Sequence, residues 1–177
     1  SMTDAEDEAD GDAASDPPDR LRRAFEGHDS FGRDGDRWVS ETTAFEAAVR
    51  AAPADGERTR LAVTVRVPTL SAATADEVAD VVEDGWAETF ELRAVDVGGV
   101  TRRDREFDPA VAVDPDEIAV TYELVDRNER RAVDDAAALI DFVEGTYVQG
   151  VIPGYEYVDP VAGLIANARR HGNDGAA

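Results

Sequence analysis

A chain of 177 residues without a cysteine has room for one domain of about 150 residues and a tail, and it excludes disulfide frameworks, thiol nucleophiles and thiolate metal sites. Forty acidic against 18 basic residues leave a net charge of −22, which argues against a nucleic-acid partner because no arginine cluster outweighs it on a phosphate surface. No run of 18 apolar residues and no leader pattern is present, so a soluble cytoplasmic protein with no membrane partner is expected.

Residues 1–16 hold seven acids, no base and no large apolar residue except Met2, and are expected to be a disordered acidic tail ahead of a single domain at 17–170. A first helix is predicted from Pro17 to Glu26, with Asp16 as N-cap, Gly27 as stop, and Leu21, Ala24 and Phe25 on its apolar face. Arg20, Arg22 and Arg23 lie on its other sides; a basic helix could dock an acidic partner, although a solvated face is the default. Asp34-Gly35 reads as a turn, Trp38 and the threonines after it as a short strand, and Phe45, Ala47 and Val49 as the buried face of a second, with a helix as the alternative there because of its alanines. The best strand pattern is Arg60 to Leu70, where Leu61, Val63, Val65 and Val67 point one way and Pro68 is expected at a sheet edge or bulge.

Thr74 and Glu77 read as a capping box opening a helix over 75–94, with Val78, Val81, Val82, Trp86 and Phe90 as its stripe and Gly85 allowing a close approach. Val95 to Asp116 has no clear pattern and could hold a strand on either side of Gly98-Gly99; a turn at Asp114-Pro115-Asp116 and a strand from Ile118 to Val125 follow. A long helix is predicted from about Glu129 to Glu144, ended by Gly145. A terminal helix over Pro160–Arg170 follows, with Asp159 as N-cap, and residues 171–177 are expected to fray. This order, α-β-β-β-α-β-β-α-α, predicts an α+β domain with a mainly antiparallel sheet of about four to six strands and helices packed on it.

Chemistry-bearing motifs are sparse. No nucleophile elbow, P-loop, dinucleotide fingerprint or metal-spaced histidine pair is present, so no catalytic residue, metal or cofactor is assigned. Asp114-Pro115-Asp116-Glu117 resembles an oxygen-ligand loop but lacks the glycine and spacing of an EF-hand, and reads as a solvated turn. Arg102, Arg103 and Arg105 form a dense basic patch suited to a carboxylate or phosphate, with charge compensation as the alternative. The segment Gly145–Tyr157 carries a single charge, Glu156, among three tyrosines, three glycines and a proline. It is read either as a broken helix or loop packed over the sheet, or as a tyrosine-lined surface for a partner or ligand. Its Tyr147, Gln149, Tyr155 and Tyr157 are the candidate binding residues, with Arg102, Arg103 and Arg105 at the mouth of any pocket beneath it.

All 18 basic residues are arginine, and aspartate outnumbers glutamate 24 to 16. A lysine-free acidic surface suits molar salt, where the Debye length falls to about 3 Å and self-repulsion is screened. Thr146–Tyr157, the Val63–Leu70 strand VTVRVPTL and the Glu83–Arg93 helix EDGWAETFELR resemble a haloarchaeal family of unknown function, which implies a salt-adapted cytoplasm and no activity. The element order is also similar to the secretion-chaperone-like fold, which implies a homodimeric module that binds an unidentified protein partner rather than an enzyme.

Overall fold

Alternation of apolar and polar residues builds the sheet. In β4 (Thr59–Pro68) and β6 (Glu117–Asp126) every second residue is buried, as are Ala47 and Val49 in the first half of β3 (Glu46–Pro53), and the sets Ala47/Val49, Leu61/Val63/Val65/Val67 and Ile118/Val120/Tyr122/Leu124 share one face. β1 (Phe31–Asp34), β2 (Arg37–Ser40) and β5 (Ala110–Val113) complete a six-stranded, wholly antiparallel sheet of order β1-β2-β3-β4-β6-β5. The computed structural model describes residues 19–176, with side chains as far as Arg170, so the acidic tail and the Asp16–Pro17 cap lie outside the described residues.

The helices gather on the apolar face. α1 is Asp19–Glu26, α2 Leu70–Ala73, α3 Asp80–Val95, α4 Glu129–Gln149 and α5 Val161–Ala176. α4 lies across β4 and β6, and α1, α3 and α5 pack against α4. The α+β class expected from the pattern is the fold observed, and among the described residues no helix is long and apolar enough to cross a membrane. Phe25 of α1 stacks on Trp38 at 4.8 Å and meets Phe31 edge-on at 5.2 Å, which closes the core under the β1–β2 hairpin. Gly35, at φ +63, makes the turn of that hairpin, whose first strand the composition did not announce.

Several expectations are corrected. Pro68 is not at a sheet edge: β4 is interior, but β3 begins opposite Arg66, so Pro68 pairs only with Glu117 of β6 and its missing N–H faces no partner strand. Thr74 does not N-cap the following helix, because it bridges to Tyr157, while Ala75 N–H donates to the Glu156 carbonyl and Val158 N–H to the Ala73 carbonyl. α3 therefore starts at Asp80 behind Ala79, and its Glu83 instead caps α2 by accepting from the Leu70 and Ser71 N–H groups. Trp86 and Phe90 are core, but Val81 of the same predicted stripe is 78% exposed. A Cβ on Gly85 would meet no other part of the fold within 4 Å, so the glycine serves no close approach. No strand flanks Gly98-Gly99; the stretch from Asp96 to Pro109 is irregular and leads into β5.

Candidate functional site

Gly145–Tyr157 is not one loop. α4 runs through Gly145 to Gln149, and only then does the chain turn, with the Gly150 N–H returning to the Tyr147 carbonyl. The helix persists because Val143, Thr146 and Tyr147 are buried on its inner face, where packing outweighs the cost of one glycine, about 1 kcal/mol. Tyr147 is 1% exposed and ringed edge-on by Phe45, Trp86 and Phe90 at 4.9, 5.4 and 6.0 Å. Its hydroxyl donates to the Pro68 carbonyl at 3.0 Å, the strand end that lacks a β3 neighbour. Burial, with lesser contributions from Tyr157 and Glu83, pushes this phenol well above its ordinary range.

Tyr157 is half-buried, and its hydroxyl accepts from Ile152 N–H at 2.7 Å and donates to the Ile152 carbonyl at 3.1 Å, folding residues 152–157 onto themselves. Tyr155 is half-buried against the core, and Gln149 is exposed. Gln149 borders an open groove of about 610 Å³ between the end of α4, α5 and the Thr42–Ala44 loop. Glu144 crosses one side of it to accept from the Thr43 hydroxyl at 2.8 Å. The segment is thus mainly a structural clasp, and Tyr147 fills the space beneath it.

Arg102, Arg103 and Arg105 are tied to the other end of α4. Asp135 and Asp126 are both wholly buried. Arg102 N–H donates to Asp135 at 2.6 Å and its guanidinium to Asp134 at 2.6 Å, while Arg103 N–H reaches Asp135 at 3.4 Å. Arg105, whose side chain is 8% exposed, donates to Asp135 at 3.1 Å, to the Val125 carbonyl at 2.9 Å and to Asp126 at 2.5 Å. Arg131 grips both oxygens of Asp126 at 2.8 and 2.7 Å, and Asn128 N–H adds a bond at 2.9 Å. Burial alone would raise the Asp126 carboxyl, but the bonds from Arg131, Asn128 and Arg105 outweigh it and hold the group far below the usual carboxylate range. The triplet therefore fastens the irregular 96–109 stretch to β6 and α4 by charge compensation.

The two sets of candidate residues do not meet. Asp135 and Tyr147 are twelve positions apart on α4, about 18 Å at 1.5 Å per residue. Asp114–Glu117 forms the β5–β6 turn, with Asp114 N–H on the Glu117 carbonyl at 2.8 Å and the Glu117 carboxylate on Arg66 at 2.9 Å. His28, half-buried, accepts from Ser30 N–H at 3.2 Å and faces Asp134 at 3.4 Å, so the serine hydroxyl is not its partner.

Two surfaces emerge that motif searching did not single out. The first is the sheet face away from the helices. The second is an open groove of about 740 Å³ between α1 and the start of α4, lined by Arg20, Arg23, Arg127, Arg130, Arg131 and Glu129. The i, i+3 spacing of Arg20 and Arg23 was legible, but their meeting with Arg127–Arg131 depends on α1 packing against α4.

No curated protein and no solved structure matches the chain. A family model does, over residues 26–167, from the last residue of α1 into α5: the chain belongs to the family of unknown function DUF5813.

Proposed function

We propose that this protein is a non-enzymatic binding module that works as a homodimer, in a salt-rich cytoplasm, through the uncovered face of its sheet. The observation that carries the reading is the composition of that face. Strand parity places Arg37, Arg50, Arg60 and Arg66 on it with Asp34, Glu46, Glu117 and Glu123, so its net charge is zero on a chain of −22. At its centre lie Ala48, Ala62, Thr64, Ala119 and Thr121, small and half-exposed, with the Thr64 and Thr121 hydroxyls 3.0 Å apart. A surface that only had to stay hydrated would carry the acidic excess of the rest of the molecule.

A second copy is the occupant this pattern suits. A two-fold contact apposes a patch with itself, so the patch needs both signs, which a partner of opposite charge would not require. Arg66–Glu117 at 2.9 Å and Arg60–Glu123 at 3.8 Å are exposed pairs that can exchange partners across such a contact. Forty strand residues at about 3.4 by 4.8 Å each present about 650 Å² of flat area, near the ~800 Å² per partner of a standard interface.

Light scattering on the eluted protein in molar KCl tests this. The expected result is a dimer mass for the natural chain and a monomer mass for the double variant Ala62→Glu/Ala119→Glu, with unchanged circular dichroism. A monomeric natural chain at micromolar concentration, or a variant that stays dimeric, overturns it.

A further inference from the structure

We propose that the arginine groove between α1 and the first turn of α4 is a binding site for a non-aromatic organic phosphate carrying at least two phosphate groups. Five of the eight residues that line it are arginines and only one, Glu129, is an acid, an excess of four positive charges on a chain of net −22. Among the described residues Arg20 has only Glu129, at 3.7 Å, and Arg131 is committed to Asp126. Arg23, Arg127 and Arg130 are exposed and lie within 4 Å of no described carboxylate. In a chain with more than two acids for every arginine, three guanidinium groups that line one groove and meet no carboxylate among the described residues are not explained by charge compensation within them.

The geometry narrows the ligand. Each guanidinium offers a planar fork of donors that matches two oxygens of an oxyanion. A single carboxylate occupies one fork, whereas a diphosphate offers enough oxygens and charge to engage forks from both walls. Arg23 stands on one wall, from α1, and on the other stand Arg127, just ahead of α4, and Arg130, in its first turn. The volume, about 740 Å³, falls in the range of small-ligand sites and exceeds what an inorganic anion needs. No aromatic side chain lines the groove, so nothing is placed to stack a nucleobase. A phosphorylated polyol or sugar fits this combination, with Ala24 and the arginine stems along its carbon skeleton. Arg131 holds the site in register, because the same side chain that borders the groove is locked onto buried Asp126 beneath it.

Isothermal titration of the full chain with inorganic pyrophosphate and with fructose 1,6-bisphosphate, at constant ionic strength, is the test, with sulfate as the control anion. Saturable binding is expected for both phosphates, tighter for the bisphosphate, and none for sulfate. Arg127→Gln/Arg130→Gln should weaken binding at least about tenfold, the effect of losing charge-assisted hydrogen bonds. Arg22→Gln, on α1 but paired with Asp19 at 3.1 Å, should leave binding unchanged. Both variants alter exposed side chains, and thermal melting verifies that they fold. Equal weak binding of sulfate and phosphates, no binding, or binding indifferent to Arg127→Gln/Arg130→Gln overturns the proposal. A nucleoside diphosphate that binds more tightly than the bisphosphate overturns the non-aromatic assignment.

Discussion

Asp126 closes β6 with no exposed surface, and its two oxygens are held by Arg105, Arg131 and the Asn128 N–H. A carboxylate removed from water this completely persists only because charged donors replace its hydration. Removing one member of such a cluster costs about 3 kcal/mol or more, so Asp126→Asn should lower the urea midpoint sharply at neutral pH. The pH dependence has a definite sign. A carboxyl whose folded value lies below the unfolded value of about 3.9 contributes fully above that pH and loses its contribution as pH falls through the folded value. The gap between the natural chain and Asp126→Asn should therefore be widest above about pH 5 and should narrow steadily below about pH 4. A constant gap from neutral to acid pH would show that the group contributes by shape rather than charge. Neither Asp126 nor Asp135 could be distinguished in the sequence, since two buried acids look like the other 38, and Arg102, Arg103 and Arg105 read equally as a ligand patch and as the compensation they provide.

Secondary structure was legible where burial follows one period over many residues, as in β4, β6 and the first four turns of α4. It failed where a distant segment competes for a residue. Thr74 and Glu77 make a plausible capping box, yet Thr74 is drawn into a bridge with Tyr157 and α3 begins at Asp80. Local hydrogen-bonding patterns cannot anticipate a partner about 80 positions away. Gly145 is the mirror case, a stop signal overridden by Thr146 and Tyr147, whose burial against Phe45, Trp86 and Phe90 holds the helix together. A Cβ on Gly145 would meet nothing within 4 Å, and its φ is not in the left-handed region. Gly145→Ala should accordingly stabilise the protein by about 1 kcal/mol, read as a higher urea midpoint. Destabilisation would mean that the helix breaks there. The tyrosine segment stands out by its lack of charge, and that signal does not separate its buried residues, Thr146 and Tyr147, from exposed ones such as Gln149.

At the scale of the molecule, charge separates the surfaces by their response to salt. The chain as a whole carries −22, the open sheet face is neutral, and the groove between α1 and α4 is positive. Screening contracts from about 10 Å at about 0.1 M salt to about 3 Å at about 1 M. Dispersed like charges repel over the longer distance and little over the shorter, so folding stability should rise with KCl. Association through the neutral face should strengthen as well, because two bodies of net negative charge approach each other. Anion binding in the groove should weaken, because there the screened interaction is attractive. Urea denaturation, sedimentation and pyrophosphate titration, each at about 0.1 and about 1 M KCl, distinguish these responses. A stability independent of KCl would sink the reading of the composition as salt adaptation. A dimer found at low salt and lost at high salt would place the proposed association on ion pairs instead of the alanine and threonine centre. All three responses moving together would mean that a single nonspecific ion effect, and not the distribution of arginine and carboxylate over this fold, governs the molecule.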